Sequence, residues 1–275
     1  MRRIVTAWFK PIGLSVLGIA LAFFYLSSVS PVDTSWNSNP PWQPGFPQKL
    51  SGDRIHESGV TLFDLDGNSA TQEILVAGYD RSGSRGVLYA YRPNGSLYWE
   101  TPLRAPINST PAVADIDGDG VPEVMVGLGG VVGGQSWLGG LAAVNGRTGA
   151  VEWIFDTQDW IFHRQDGWLD GVYSSPAVGD VDADGEMEIV FGAWDQCIYL
   201  LDENGQPEWG ELNKLGDQSH CGAHGFYNED TIYSSPALAD LTGNGKLEII
   251  IGADITSGNR YGDPSGGYVY VLDHE

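Results

Sequence analysis

One pattern is written four times along this chain, and that repetition constrains its fold more than any single residue does. A serine six residues ahead of an aspartate recurs as Ser58 and Asp64, Ser109 and Asp115, Ser174 and Asp180, and Ser234 and Asp240. Each aspartate opens an acidic turn that leads into a short apolar run: Ile74 to Gly78, Val124 to Gly127, Ile189 to Gly192 and Ile249 to Gly252. A second apolar run follows, then an Asn-Gly or related turn. In the first three repeats a Trp-bearing run comes last, with Trp99, Trp153 and Trp209. Short runs rich in Val, Ile, Tyr and Trp, parted by Gly and Asn turns, make four-stranded antiparallel sheets. Spacings of 51, 65 and 60 residues between the four aspartates suit propeller blades rather than smaller solenoid units.

The expected fold is therefore all-β, a β-propeller of four-stranded antiparallel blades over residues 48–275, with repeats at about 55–104, 105–160, 170–212 and 230–275. The fourth repeat reaches Glu275 without a Trp-bearing run, while Trp42 to Leu50 precedes the first repeat with no blade of its own. That segment is a candidate outer strand for the last blade, since closing a ring removes exposed sheet edges. A closed four-bladed ring and part of a larger ring both fit. Trp99, Trp153 and Trp209, one per blade, are expected to pack between blades, because large aromatics dominate core burial.

Composition narrows the partners. The balance of 14 basic against 36 acidic residues gives −22, which disfavours nucleic acid, because affinity for phosphate backbones comes from Lys and Arg. Arg2, Arg3 and Lys10 precede an uncharged stretch from Pro11 to Ser30, the order of an export signal. Twenty such residues also suffice to cross a bilayer, so 1–30 reads as a cleaved signal or a retained anchor, and membrane contact is expected only there. Residues 31–47 read as a Pro-rich linker. The expected location is extracytoplasmic.

The acidic turns carry the most specific chemistry. In the second repeat Asp115, Asp117, Asp119 and Glu123 stand at positions 1, 3, 5 and 9, with Gly120 at position 6 for the sharp bend and the carbonyl of Val121 at position 7. Alternating carboxylates on a tight loop converge on one point, as a Ca²⁺ ion with six to eight oxygen ligands requires. An EF-hand needs its glutamate at position 12 and flanking helices, so this is a different loop. The third turn matches fully, with Asp180, Asp182, Asp184, Glu186 and Glu188. The fourth is diluted to Asp240, Thr242, Asn244, Lys246 and Glu248. The first has Asp64, Asp66 and Asn68, with Ser69 at position 6 and Glu73 one residue late.

The Ser-Pro-Ala-Val-x-Asp strand, the acidic turn, and Phe191, Gly192, Ala193 with Ile251, Gly252, Ala253 resemble FG-GAP or VCBS repeats over about residues 42–275. These are the units of integrin α-chain propellers and of many bacterial surface proteins. The resemblance implies calcium between the first and second strand of each blade and a role in recognition or adhesion. Leu200 to Trp209 also resembles blades of the pyrroloquinoline-quinone type.

In an antiparallel blade the connections from second to third strand and from one blade to the next lie on the face opposite the acidic turns. The long segments there are 128–140 with Trp137, 156–172 with Trp160, Phe162, His163 and Trp168, 211–232 with Phe226 and Tyr227, and 254–267 with Tyr261. These aromatics are the candidate contacts for a protein or glycan partner, since loops on a rigid scaffold carry function. Cys197 and Cys221 are expected to form a disulfide that pins the third insertion, in preference to a metal set of His220, Cys221 and His224. No catalytic motif is visible, so a non-catalytic module is expected. A polysaccharide lyase or a quinone-dependent dehydrogenase is the alternative, with His163, Asp166, Asp170, His220 and Glu229 available but without motif spacing.

Overall fold

The computed structural model describes residues 43–50, 53–132, 135–157, 170–209, 226–227, 232–255 and 266–274. The chain divides into Met1–Trp42 and Gln43–Glu275, and the described residues all belong to the second unit. The segment 1–30 lies outside them; among those described, no helix is long and apolar enough to cross a membrane.

Fifteen strands among the described residues form four antiparallel sheets, the blades of a β-propeller. Blade 1 is β1 (Val60–Phe63), β2 (Glu73–Tyr79), β3 (Gly86–Tyr91) and β4 (Leu97–Leu103), in that order across the sheet. Blade 2 follows as β5 (Ala112–Ala114), β6 (Glu123–Val132), β7 (Gln135–Asn145) and β8 (Val151–Phe155). Blade 3 has β9 (Ala177–Gly179), β10 (Glu188–Gly192), β11 (Cys197–Leu201) and β12 (Phe226–Tyr227). Blade 4 shows β13 (Ala237–Ala239), β14 (Glu248–Ile255) and β15 (Gly266–Leu272). Strands β3, β10 and β11 are buried along their whole length, which explains their unbroken apolar runs.

Neighbouring blades share three apolar cores. Leu75 and Leu88 of blade 1 pack with Val124 and Val144 of blade 2; Met125 and Leu141 of blade 2 with Phe191 and Tyr199 of blade 3; Val190 and Leu200 of blade 3 with Ile249 and Ile251 of blade 4. The recurrent tryptophan completes each joint. Trp99 Nε1 donates to the carbonyl of Gly146 at 2.7 Å, Trp153 Nε1 to that of Glu203 at 3.1 Å, and Trp209 Nε1 to that of His274 at 3.1 Å, always one or two residues after the next blade's third strand. Near the first strands, N–H groups reach hydroxyls one blade on: Gly59 to Thr110, Thr110 to Ser175 and Ser175 to Ser235, at 2.8, 2.9 and 3.0 Å. The tryptophans, and the hydroxyl residues that directly follow the serines of the repeat, are thus joints between blades.

Three features depart from the sequence reading. Residues 128–140 are the end of a long hairpin, with Trp137 in β7 opposite Gly130; Gly129 and Gly130 at φ 89° and 105° bend the strand instead of ending it. The outer strand of blade 3 is split. Pro207 bridges Leu201, whereas Phe226 and Tyr227 pair with Ile198 and Cys197, so the insertion interrupts this strand rather than following it. Finally, residues 43–50 supply no strand to blade 4. Gly45 lies against Asn94 and Gly95 in the β3–β4 turn of blade 1, so close that a Cβ on Gly45 would fall 1.8 Å from the Asn94 carbonyl oxygen.

Candidate metal centres

Each acidic turn joins the first strand of a blade to the second, and hydrogen bonds to its own backbone shape it. The aspartate at position 1 accepts the N–H of the position-6 glycine: Asp115 from Gly120, Asp180 from Gly185 and Asp240 from Gly245, at 3.0, 3.1 and 2.9 Å. At position 5, Asp119, Asp184 and Asn244 accept the N–H of Val121, Glu186 and Lys246 at 2.6, 2.9 and 2.8 Å. The bend needs left-handed backbone at position 4 as well as 6. Gly118 and Gly120 have φ of 73° and 83°, Ala183 and Gly185 65° and 98°, Gly243 and Gly245 75° and 89°. The first turn uses only Gly67, at φ 83°, and bends without a glycine at position 6.

The closing glutamate is the deepest part of each turn. Glu73, Glu123, Glu188 and Glu248 are buried, and Oε2 of each accepts the N–H of the residue after the leading aspartate: Leu65, Ile116, Val181 and Leu241. One carboxylate oxygen is thereby fixed to the scaffold and the other faces the turn. Sequence spacing gave the glutamate its place but not this double use.

The structure gathers carboxylates in three of the four turns. Asp64, Asp66 and Glu73, then Asp115, Asp117 and Glu123, then Asp180, Asp182 and Glu188, each bring one oxygen per residue within 4.8 Å of one another. The first turn converges although its glutamate is a residue late. Two carboxylate oxygens of these residues have no hydrogen-bond partner and are shielded from water, Glu73 Oε1 in the first turn and Asp115 Oδ1 in the second. Such atoms are costly unless something binds them. The fourth turn is satisfied differently: the Thr242 hydroxyl donates to Glu248 Oε1 at 3.0 Å, where the other turns hold a second carboxylate.

Electrostatics follow the burial. Loss of water pushes the Glu123 and Glu188 carboxyls up to about 7, against the opposing pull of the Ile116 and Val181 N–H groups and reinforced by nearby acids. Asp240, in the fourth turn, is held below the ordinary carboxylate range by backbone N–H groups, that of Gly245 foremost. The first three turns are thus sets of hard oxygen donors, crowded and incompletely neutralised, which fits the donor chemistry of Ca²⁺.

Of the residues expected from sequence to face a partner, Trp160, Phe162, His163, Trp168 and Tyr261 lie outside the described residues, as do Cys221 and the candidate acids and bases Asp166, His220 and Glu229. Cys197 is fully buried and disulfide-bonded. Spacing gave no warning of one aromatic group: Tyr173 and Trp194 stack at 4.7 Å and 3°, with Tyr233 tilted against both at 5.8 and 5.3 Å. Its signal was the tyrosine before Ser174 and before Ser234 in the two later repeats.

Residues 233–272 match the FG-GAP repeat family. No curated protein matches the chain. Among solved structures it is similar to the C-terminal domain of PilY1 from Pseudomonas aeruginosa, at 16% identity and TM-score 0.49, covering 78% of this chain and 48% of that one. BamB from Moraxella catarrhalis shares 16% identity at TM-score 0.41, covering 79% and 46%. A quinohemoprotein alcohol dehydrogenase from Comamonas testosteroni shares 12% at TM-score 0.43, covering 67% and 36%. The chain spans about half the length of the first two and about a third of the third. It is an all-β propeller protein whose fourth blade matches the FG-GAP repeat family.

Proposed function

We propose that this protein is an extracytoplasmic, calcium-binding recognition or adhesion module without catalytic activity. The observation that carries the calcium reading is the first turn, where Glu73 Oε1 is buried without a partner inside a three-carboxylate cluster. Asp64, Asp66, Asn68 and Glu73 would hold the ion in blade 1. Asp115, Asp117, Asp119, Glu123 and the Val121 carbonyl would do so in blade 2, and Asp180, Asp182, Asp184, Glu188 and the Glu186 carbonyl in blade 3. In the fourth turn Asp240, Asn244, Glu248 and the Lys246 carbonyl make the weakest set, because Thr242 already occupies Glu248. The ion would tie the start of one strand to the start of the next and cancel the crowded charge. The basic, then apolar N-terminus supports export.

Recognition is assigned to the face opposite the turns, where the strand order of a blade would put the insertions and where Tyr173, Trp194 and Tyr233 cluster. A protein or glycan is the expected ligand, and the acidic surface argues against nucleic acid.

Thermal melting in calcium, in magnesium and in chelator tests the metal. A ligand at a hundred times its Kd adds about 2.7 kcal/mol per site. A calcium-selective rise in Tm, lost in the Asp115→Ala, Asp180→Ala double variant, is the expected result; an equal Tm in all three buffers would remove the calcium reading. Polysaccharide cleavage, or quinone absorbance in the purified protein, would overturn the non-catalytic reading.

A further inference from the structure

Beside each acidic turn a row of side chains crosses the blade from its second strand to its fourth, and that row differs from blade to blade. Its first member is the closing glutamate. The second faces that glutamate from the third strand. Asn145 is paired with Glu123 in blade 2. Arg92 and Asp202 hold the same place in blades 1 and 3, one step beyond the pairs of Ile74 with Tyr91 and of Ile189 with Leu201. The third member comes from the outer strand, where pairing skips one residue. Tyr98 stands between the partners of Tyr91 and Ala90, and Glu152 between those of Val144 and Ala143. In blade 3 Pro207 bridges Leu201 and the Glu208 N–H donates to the Leu200 carbonyl at 3.0 Å, which puts Glu208 in the same position. A bulge re-aims the extra side chain, so spacing alone does not bring these residues to the turns.

The rows grade the charge around otherwise similar turns. In blade 1 Arg92 lies over the Tyr98 ring, 4.4 Å from its centroid. Burial, and after it the charges of Asp66 and Glu73, push the Tyr98 hydroxyl up in pKa, which marks how near the row stands to the turn. A second cation, Arg147, enters from blade 2. Its Nη2 donates to the Gly120 carbonyl at 3.0 Å and stands 3.6 Å from the point where a Cβ on Gly67 would lie, so it serves the first two turns at once. In blade 2 Glu152 replaces Tyr98; it accepts from Asn145 Nδ2 at 2.9 Å and, after burial, is the foremost acid pushing Glu123 up. In blade 3 Asp202 and Glu208 are both acidic, and Glu208 adds to burial in pushing Glu188 up, ahead of Asp182 and Asp184. A histidine rather than an arginine reaches that turn, with His274 Nε2 3.7 Å from Asp182 Oδ2.

We propose that this row sets the cation affinity of each turn: Asp202 and Glu208 make the third turn the tightest, Glu152 strengthens the second against the shared Arg147, and Arg92 with Arg147 weakens the first. This grading rests on the turns holding calcium, as proposed above, and adds residues outside their ligand sets. A unit charge several ångströms from a divalent ion, in a solvated setting, changes its affinity about three- to tenfold.

Calorimetric titration of the full chain with calcium at low ionic strength tests the grading. The Glu152→Gln, Glu208→Gln double variant keeps an acceptor oxygen for Asn145 and is expected to need about three- to tenfold more calcium for half-saturation than the parent. Arg92→Met, which keeps an aliphatic contact over Tyr98, is expected to fill its weaker sites at lower calcium. In chelator the double variant should melt higher than the parent, because like charges have been removed from beside the turns. These differences should shrink at high salt, as a loss of packing would not. Calcium binding by the parent with the same half-saturation in all three chains overturns the proposal and leaves the calcium reading standing. A parent that takes up no calcium overturns both. A double variant that melts lower in chelator also overturns the proposal, since the glutamates would then hold structure rather than charge.

Discussion

Ala183 is the one residue of the acidic turns that holds a left-handed conformation with a side chain, φ 65°, where the second and fourth turns have glycine. That conformation costs an L-residue about 1–2 kcal/mol, while glycine loses about 0.5–1 kcal/mol through the entropy of the unfolded chain. Ala183→Gly is expected to stabilise the protein by up to about 1 kcal/mol in chemical denaturation with chelator present. No gain would mean that the turn has relaxed around the alanine. Glu123 and Glu188 make a prediction about pH. Their folded pKa of about 7 lies above the ordinary 4.5, so without metal the folded state holds protons that the unfolded state has lost. The stability they lend is complete below about 4.5 and is lost as pH rises through about 7. In chelator Tm should therefore fall across that window. In calcium, which needs the carboxylates ionised, the fall should be removed or reversed. Parallel Tm profiles in the two buffers would contradict this.

At the scale of elements, the joints between blades and the turns can be tested separately. Trp153→Phe keeps most of the ring and removes the hydrogen bond to Glu203, a loss of about 1 kcal/mol. Trp99→Ala, which empties a nearly buried site, should cost about 3–5 kcal/mol. Similar losses from both would show that the hydrogen bond, not ring burial, holds the blades together. The fourth turn allows a gain-of-function test. Thr242→Asp replaces a hydroxyl that donates to Glu248 with a carboxylate at the position used by Asp66, Asp117 and Asp182. Calorimetric titration with calcium should show the weakest site of the parent chain tightened, and an unchanged affinity there would mean that the fourth turn lacks more than this ligand.

For the whole molecule, charge is the governing quantity. With 36 acidic against 14 basic residues, the compact state repels itself until cations neutralise it. In chelator, sodium chloride should raise Tm, because the screening length shrinks to about 8 Å near 0.15 M. In calcium that dependence should flatten, since the densest acidic clusters are already neutralised. Equal salt dependence in both buffers would place the repulsion away from the turns.

The blade repeat, the order of its strands, the tryptophan joints and the place of the acidic turns were all legible in the sequence, because each rests on local chemistry with a fixed spacing. A strand's period, a turn's glycine and an aspartate's offset are written within ten residues of one another. Other features depended on residues far apart in the chain. Gly-rich 128–140 reads as a loop, and only pairing with the facing strand makes it a hairpin. The split outer strand of blade 3 left no local signal, since Phe226 and Tyr227 owe their place to Ile198 and Cys197. The sequence by itself determined which turns are acidic; the tertiary structure decided that Glu73 reaches its turn from a displaced position while Glu248 is engaged by a threonine. It also decided that the lead-in lies on blade 1, leaving Val60, Leu62, Val269 and Val271 in water. Their burial depends on what stands beyond each end blade, and no spacing within a repeat encodes that.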